Sequence, residues 1–234
     1  MTYTTPNLNA VLERHATAFA PVLDTDLNAD NVCRLNFTAS NSLLQQTDLQ
    51  NTAAFDQAVQ QMLKAEQATV GVGGYFEDRF IYRRSNHFDT SSESRNLHLG
   101  LDIWLEAGTA VFAPLDATVH SFQNNDNFGD YGPTIILQHE LEGVPFYTLY
   151  GHLTRASLEG LAVGKAFKKG EKIAEVGPFP ENGDWPPHLH FQLMTTMEGR
   201  SGDFPGVAAA SEKEHFQSIC LNPNLILQSR HLPL

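Results

Sequence analysis

The chain has 234 residues, 41% hydrophobic, 18% charged and 10% aromatic, which is enough apolar material for a real core and too much for a disordered chain. A formal net charge of −12 argues against nucleic acid or an anionic membrane as a general partner, because 15 Lys and Arg can supply the basic surface both require only locally. Cys33 and Cys220 stand apart without metal-ligand spacing and read as free thiols.

The first residues lack a basic segment followed by an apolar run, since Glu13, Arg14 and His15 fall where that run would lie. No signal peptide and no membrane span are predicted, which places the protein in the cytoplasm, or outside it if a leader has been removed. Residues 7–23 put Leu8, Val11, Leu12, His15, Phe19 and Val22 near helical spacing, with Asn7 after Pro6 as N-cap. From Asp24 to Gln50 the composition is that of a loop, interrupted by a strand-like alternation over Val32–Phe37. A second helix is expected over 53–68, where Phe55, Val59, Met62 and Leu63 share one face. Residues 1–70 thus form an N-terminal helical subregion, and 71–94 a connector placed to lie across the catalytic face of the C-terminal half.

From Leu97 onward, short β-like runs are closed by Gly, Pro and Asp. The strand candidates are Ile103–Leu105, Ala110–Ala113, Thr118–Phe122, Thr134–Gln138, Phe146–Tyr150, Lys172–Val176 and His188–Thr195. The fold class is α+β, mainly β behind N-terminal helices, with an antiparallel sheet or sandwich over residues 95–200. Asn124–Asp130 lacks the spacing of a calcium loop and reads as a solvated turn. Residues 201–234 form a C-terminal packing segment, with Ser211 and Glu214 as a capping box and Pro223 as the stop of its helix.

The chemistry gathers in His98-Leu99-Gly100-Leu101-Asp102, Gly151-His152-Leu153 and His188-Leu189-His190. Histidines two residues apart on a strand share a face, so His188 and His190 enter one site. His98 and Asp102 would stand roughly 13 Å apart on a straight strand, and Gly100 supplies the bend that brings them together. Imidazole and carboxylate are zinc's usual non-thiolate ligands, and a catalytic zinc keeps three of them and an open position. Five candidates for three places imply ligands plus helpers. His87, His120, His139 and His215 stand outside such patterns and read as structural or surface residues.

The order H-x-G-x-D, Tyr-x-His-Leu and H-x-H-Phe resembles the lysostaphin/LytM-type zinc metalloendopeptidases, which cut peptidoglycan cross-links; it covers roughly residues 95–195. Val163–Gly177 is likewise similar to the turn-and-strand unit of barrel-sandwich hybrid folds. The resemblance implies the duplicated hybrid motif fold, one Zn2+ per chain held by His98, Asp102 and His190, and His152 and His188 as the catalytic pair. A water on that ion would attack a peptide bond, with the two histidines handling its proton, the oxyanion and the leaving amine.

The expected partner is a peptide substrate, peptidoglycan-derived or otherwise small, with no nucleic acid and no membrane insertion; nothing in the sequence gives an oligomeric state. Tyr150 and Trp185 are the candidate substrate contacts. Two departures from the family pattern bear on the substrate wall: the loop Gly177–Pro187 contains four prolines, Phe179 and Trp185 in place of Gly, Ser and Thr, and Gln192 stands where Glu is common. A non-catalytic metal-containing peptide-binding or regulatory module is the competing reading. A phosphohistidine carrier conflicts with Asp102, and a biotin or lipoyl carrier with the context of Lys168, Lys169 and Lys172.

Overall fold

The computed structural model describes residues 7–84 and 93–234; Pro6, His87 and residues 89–92 of the connector lie outside them. In chain order the elements are α1 (Leu8–Arg14), β1 (Val32–Arg34), α2 (Ser42–Gln46), α3 (Thr52–Ala65), β2 (Val70–Gly73), β3 (Leu97–His98), β4 (Leu101–Trp104), β5 (Ala110–Phe112) and β6 (Ala117–Asn125). Next come β7 (Gly132–Leu141), β8 (Val144–Gly151), β9 (Ala166–Phe167), β10 (Lys172–Glu175), β11 (His188–Met194), β12 (Val207–Ala208), α4 (Lys213–Ile219), β13 (Cys220–Leu221) and α5 (Asn224–Leu227).

One open nine-stranded sheet, in the order β1-β2-β4-β11-β8-β7-β6-β9 with β13 on the far end of β11, carries the molecule. All its pairings are antiparallel except β1 with β2. The fold is therefore mainly β with N-terminal helices, as expected. Each side chain's face follows from the two-residue period. Leu101 and Ile103 of β4, Leu189, Phe191 and Leu193 of β11, and Phe146 and Tyr150 of β8 join one large core with α1, α5 and the β5–β10 pair. The other face carries Asp102 and Trp104 of β4, His188 and His190 of β11, and Gly151 of β8. Two smaller clusters flank them: an aromatic one from α3 and the 30s segment, and one around Met194, Phe204 and Phe216.

Several local expectations are corrected. The helix expected over 7–23 ends at Arg14 and is followed by a 3-10 turn over Ala16–Ala18; Pro21 then biases Ala20 toward extended backbone, and the chain beyond it pairs with β5, where Phe112 N–H donates to Val22 O at 2.8 Å and Leu23 bridges Val111. Within the supposed loop 24–50, Asn41 caps the short helix α2 by accepting from Leu43 N–H at 3.0 Å. Ser211 does not cap α4; its hydroxyl donates to Glu93 at 2.6 Å, and Glu212 accepts from Ala209 N–H at 3.1 Å instead. Cys33 and Cys220 are free, as read. Among the described residues, no helix is long and apolar enough to cross a membrane.

Candidate metal centre

Cross-strand register assembles the centre. On β4 and β11, Asp102 pairs with His190 and Trp104 with His188, so each histidine meets its neighbour directly across the ladder. His190 Nδ1 lies 3.1 Å from Asp102 Oδ1, and the His188 ring stacks on Trp104 with centroids 4.0 Å apart. The row through His190 continues into Gly151 of β8 on one side and, through Asp102, into Gly73 of β2 on the other. A Cβ at Gly151 would come within 2.6 Å of the Tyr131 ring, and one at Gly73 within 2.7 Å of the Arg79 guanidinium. Glycine on these two flanks leaves room for Tyr131 to reach His190 and for Arg79 to reach Asp102.

Gly100 interrupts the backbone between β3 and β4, as the spacing of His98 and Asp102 demanded. It does a second thing that the spacing did not reveal: a Cβ there would lie 2.7 Å from His190 Cε1 and 2.8 Å from the Phe191 carbonyl oxygen.

His98 Nε2, His190 Nδ1 and Asp102 Oδ1 form a triangle with sides of 3.0, 3.1 and 3.2 Å. Hydrogen bonding behind the rings fixes what these atoms are. His98 Nδ1 faces the Gly74 carbonyl at 3.0 Å, which only accepts, so Nδ1 carries the proton and Nε2 a lone pair. The Gln192 amide nitrogen donates to Pro205 O at 3.1 Å, which turns Gln192 Oε1 toward His190 Nε2 at 3.0 Å, protonates Nε2 and leaves Nδ1 bare. Lone pairs of two imidazoles and a carboxylate thus point at one another, an arrangement that a bound cation relieves. Tetrahedral zinc ligands at about 2.0–2.1 Å stand roughly 3.3 Å apart, close to this triangle. The residues present fit zinc.

The charges agree with that use. Burial first, and then the Arg79 guanidinium, lower His98 to about 3, and burial lowers His188 to about 4 and His152 well below its usual value. His98, His152 and His188 are therefore neutral near pH 7, the state a ligating His98 requires. Burial alone would raise Asp102, but the positive charges around it, of which the Arg79 guanidinium persists at neutral pH, hold the carboxyl well below its usual range.

His152 and His188 stand beside the triangle with ring centroids 4.1 Å apart. His152 Nδ1 donates to Asn182 O and His188 Nδ1 to Pro186 O, both at 2.8 Å, so each ring keeps a bare Nε2. They line a cavity of about 280 Å³ together with Trp185, Tyr131, Tyr82 and Arg79.

Trp185 thus walls the cleft, whereas Tyr150 does not. It is fully buried on the opposite face of β8, where its hydroxyl accepts from Thr148 at 3.0 Å and its ring packs 5.3 Å from Phe191. His139 is likewise a core residue, bonded to Thr148 Oγ1 at 2.8 Å. Sequence reasoning missed Tyr131, whose ring lies 5.0 Å from His190, and Arg79, which bonds Asp102. The one local signal was the turn read over Asn124–Asp130, which ends just before Tyr131.

Residues 96–202 match the profile of peptidase family M23. The chain carries a domain of peptidase family M23. The match spans all five residues of the motif, and the family is the one the sequence resembled. An uncharacterized metalloprotease of Haemophilus influenzae is 34% identical over 126 residues, which are 50% of this chain and 24% of that protein. The chain therefore spans about a quarter of that curated relative. Among solved structures, the catalytic domain of lysostaphin from Staphylococcus simulans is 25% identical, with 57% of this chain and 81% of that chain covered and a TM-score of 0.40. A zinc-containing peptidase from Vibrio cholerae is 25% identical, covering 42% of this chain and 27% of that chain, with a TM-score of 0.33.

Proposed function

We propose that the M23 domain is a zinc-dependent peptidase that hydrolyses a peptide bond in a peptidoglycan-derived or other small peptide. The observation that carries the reading is the triangle of bare donor atoms on His98, Asp102 and His190, which would hold the ion. A zinc ion there supplies Lewis acidity, which makes water a nucleophile near neutral pH and polarises a carbonyl.

The remaining steps belong to the chain's own residues. His152 and His188, neutral and with Nε2 bare, accept the proton of the attacking water and return it to the leaving amine. Once protonated, an imidazolium at either position stabilises the developing oxyanion, and burial makes that charge effective. The carbonyls of Asn182 and Pro186 prevent the rings from turning, so no tautomer change is needed before reaction. Trp185, Tyr131 and Tyr82 shield the site from bulk water and offer an apolar wall to the peptide.

The test is metal content of protein purified without added metal, followed by hydrolysis of peptidoglycan-derived peptides. Wild type should carry about one zinc per chain, lost in His190→Ala and His98→Ala; His152→Ala should keep the metal and lose turnover. Equal zinc loss in all three variants would contradict the division of roles. Zinc without turnover on any such peptide would favour a peptide-binding module.

A further inference from the structure

Arg79 lies outside the matched stretch 96–202, on the connector, yet its guanidinium is fully buried against the metal centre. The backbone explains how it gets there. Phe76 N–H donates to His98 O at 2.7 Å, His98 N–H to Glu77 O at 3.0 Å, and Arg79 N–H to Asn96 O at 2.9 Å. The connector is thus laced to the strand that carries His98.

The guanidinium occupies a built seat. Its Nε donates to Glu77 at 3.0 Å, its NH1 donates to Asp102 Oδ2, and its plane lies 5.3 Å from the Phe37 ring centroid. Its NH2 rests where Gly73 lacks a side chain. Asp102 is consequently divided: Oδ2 is taken by Arg79, and only Oδ1 turns to His98 and His190. Glu77 balances the charge of Arg79, so the guanidinium fixes the carboxylate without cancelling its attraction for a cation.

We propose that Arg79 is a positioning residue that holds Asp102 as a one-oxygen ligand, so that the metal centre extends beyond the M23 match into the N-terminal part of the chain. This rests on the zinc reading above. A buried guanidinium beside a carboxylate ligand orients it as a carboxylate or carbonyl orients a ligating histidine, and losing such partners typically weakens metal binding about 10–100-fold. Lysine cannot reproduce the seat, because one ammonium lacks the fork that bonds Glu77 and Asp102 in fixed directions.

The experiment uses the full chain and measures zinc affinity by chelator competition in wild type, Arg79→Met, Arg79→Lys and Glu77→Gln, with the melting temperature of each metal-free form. The visible spectrum of the cobalt-substituted proteins reports coordination number. The expected result is an affinity loss of about 10–100-fold in Arg79→Met and a smaller loss in Arg79→Lys, with weaker cobalt absorption as Oδ2 becomes a second ligand atom. Should Arg79→Met fail to fold, Arg79→Lys and Glu77→Gln decide by the same two readouts. Affinity within twofold of wild type and an unchanged cobalt spectrum, with only a lower melting temperature, would overturn the proposal and leave Arg79 a structural ion pair. A wild type that binds no zinc would overturn the parent reading, and this one with it.

Discussion

Gly100 shows how a single atom can decide a site. The space its missing Cβ leaves is filled by the His190 ring and the Phe191 carbonyl, and the carbonyl cannot retreat without disturbing the β11 ladder. Gly100→Ala should therefore cost about 1–3 kcal/mol in denaturant unfolding and release zinc, a joint loss that an ordinary surface glycine would not show. His139 serves as a test free of metal. Burial lowers it to about 4 in the folded protein, against an ordinary value near 6.5. The unfolded chain binds its proton first, so its contribution to stability is full above about pH 6.5 and is lost as pH falls toward 4. In wild type the melting temperature should drop across that window, and His139→Gln should flatten the drop; an unchanged slope would assign it to the other buried histidines. That His188 and His190 share a face and that His98 and Asp102 meet across Gly100 was legible in the sequence, because the two-residue strand period and the Gly100 break are local properties. Tyr150 misled because its proximity in sequence to His152 says nothing about which face of β8 it occupies.

The segment after β10 holds His152, one of the two histidines proposed to handle the proton. Asn182 ties it together: its side-chain amide donates to Gly177 O at 3.0 Å and Trp185 O at 2.9 Å, its Oδ1 accepts from Trp185 N–H at 3.1 Å, and its own carbonyl holds His152. Asn182→Ala should loosen the segment and free the His152 ring, lowering kcat about 10-fold or more while zinc content stays at wild-type level. Zinc loss in that variant would mean that the segment also shapes the ligand triangle. Within β11, Gln192 is the corresponding strut. The sequence marked it only as a departure from the family pattern; the structure makes it the acceptor that sets the His190 tautomer. Gln192→Leu should weaken zinc binding about 10–100-fold, read by chelator competition.

For the whole molecule, the question is what the first 70 residues contribute. Phe37 and Phe55 pack on Trp104, at 4.7 and 6.0 Å between ring centroids, and Phe55 also meets Trp185 at 6.1 Å. β1 covers the edge of β2, which in turn covers β4. Deleting residues 1–70 should therefore lower the melting temperature sharply and expose an unpaired sheet edge, which promotes aggregation. A stable truncation with faster peptide hydrolysis would instead make this region a lid.

By itself the sequence determined the candidate donor residues, their order, the bend at Gly100 and the mainly β class, because composition, strand period and turn residues act over a few positions; the choice of three ligands among five candidates rested on the family resemblance. Only the tertiary structure decided that Arg79 shares Asp102, that Tyr131 reaches His190 and that Gln192 orients it. Those contacts join strands and loops remote in sequence, and their geometry comes from sheet register and from the space left by Gly73 and Gly151.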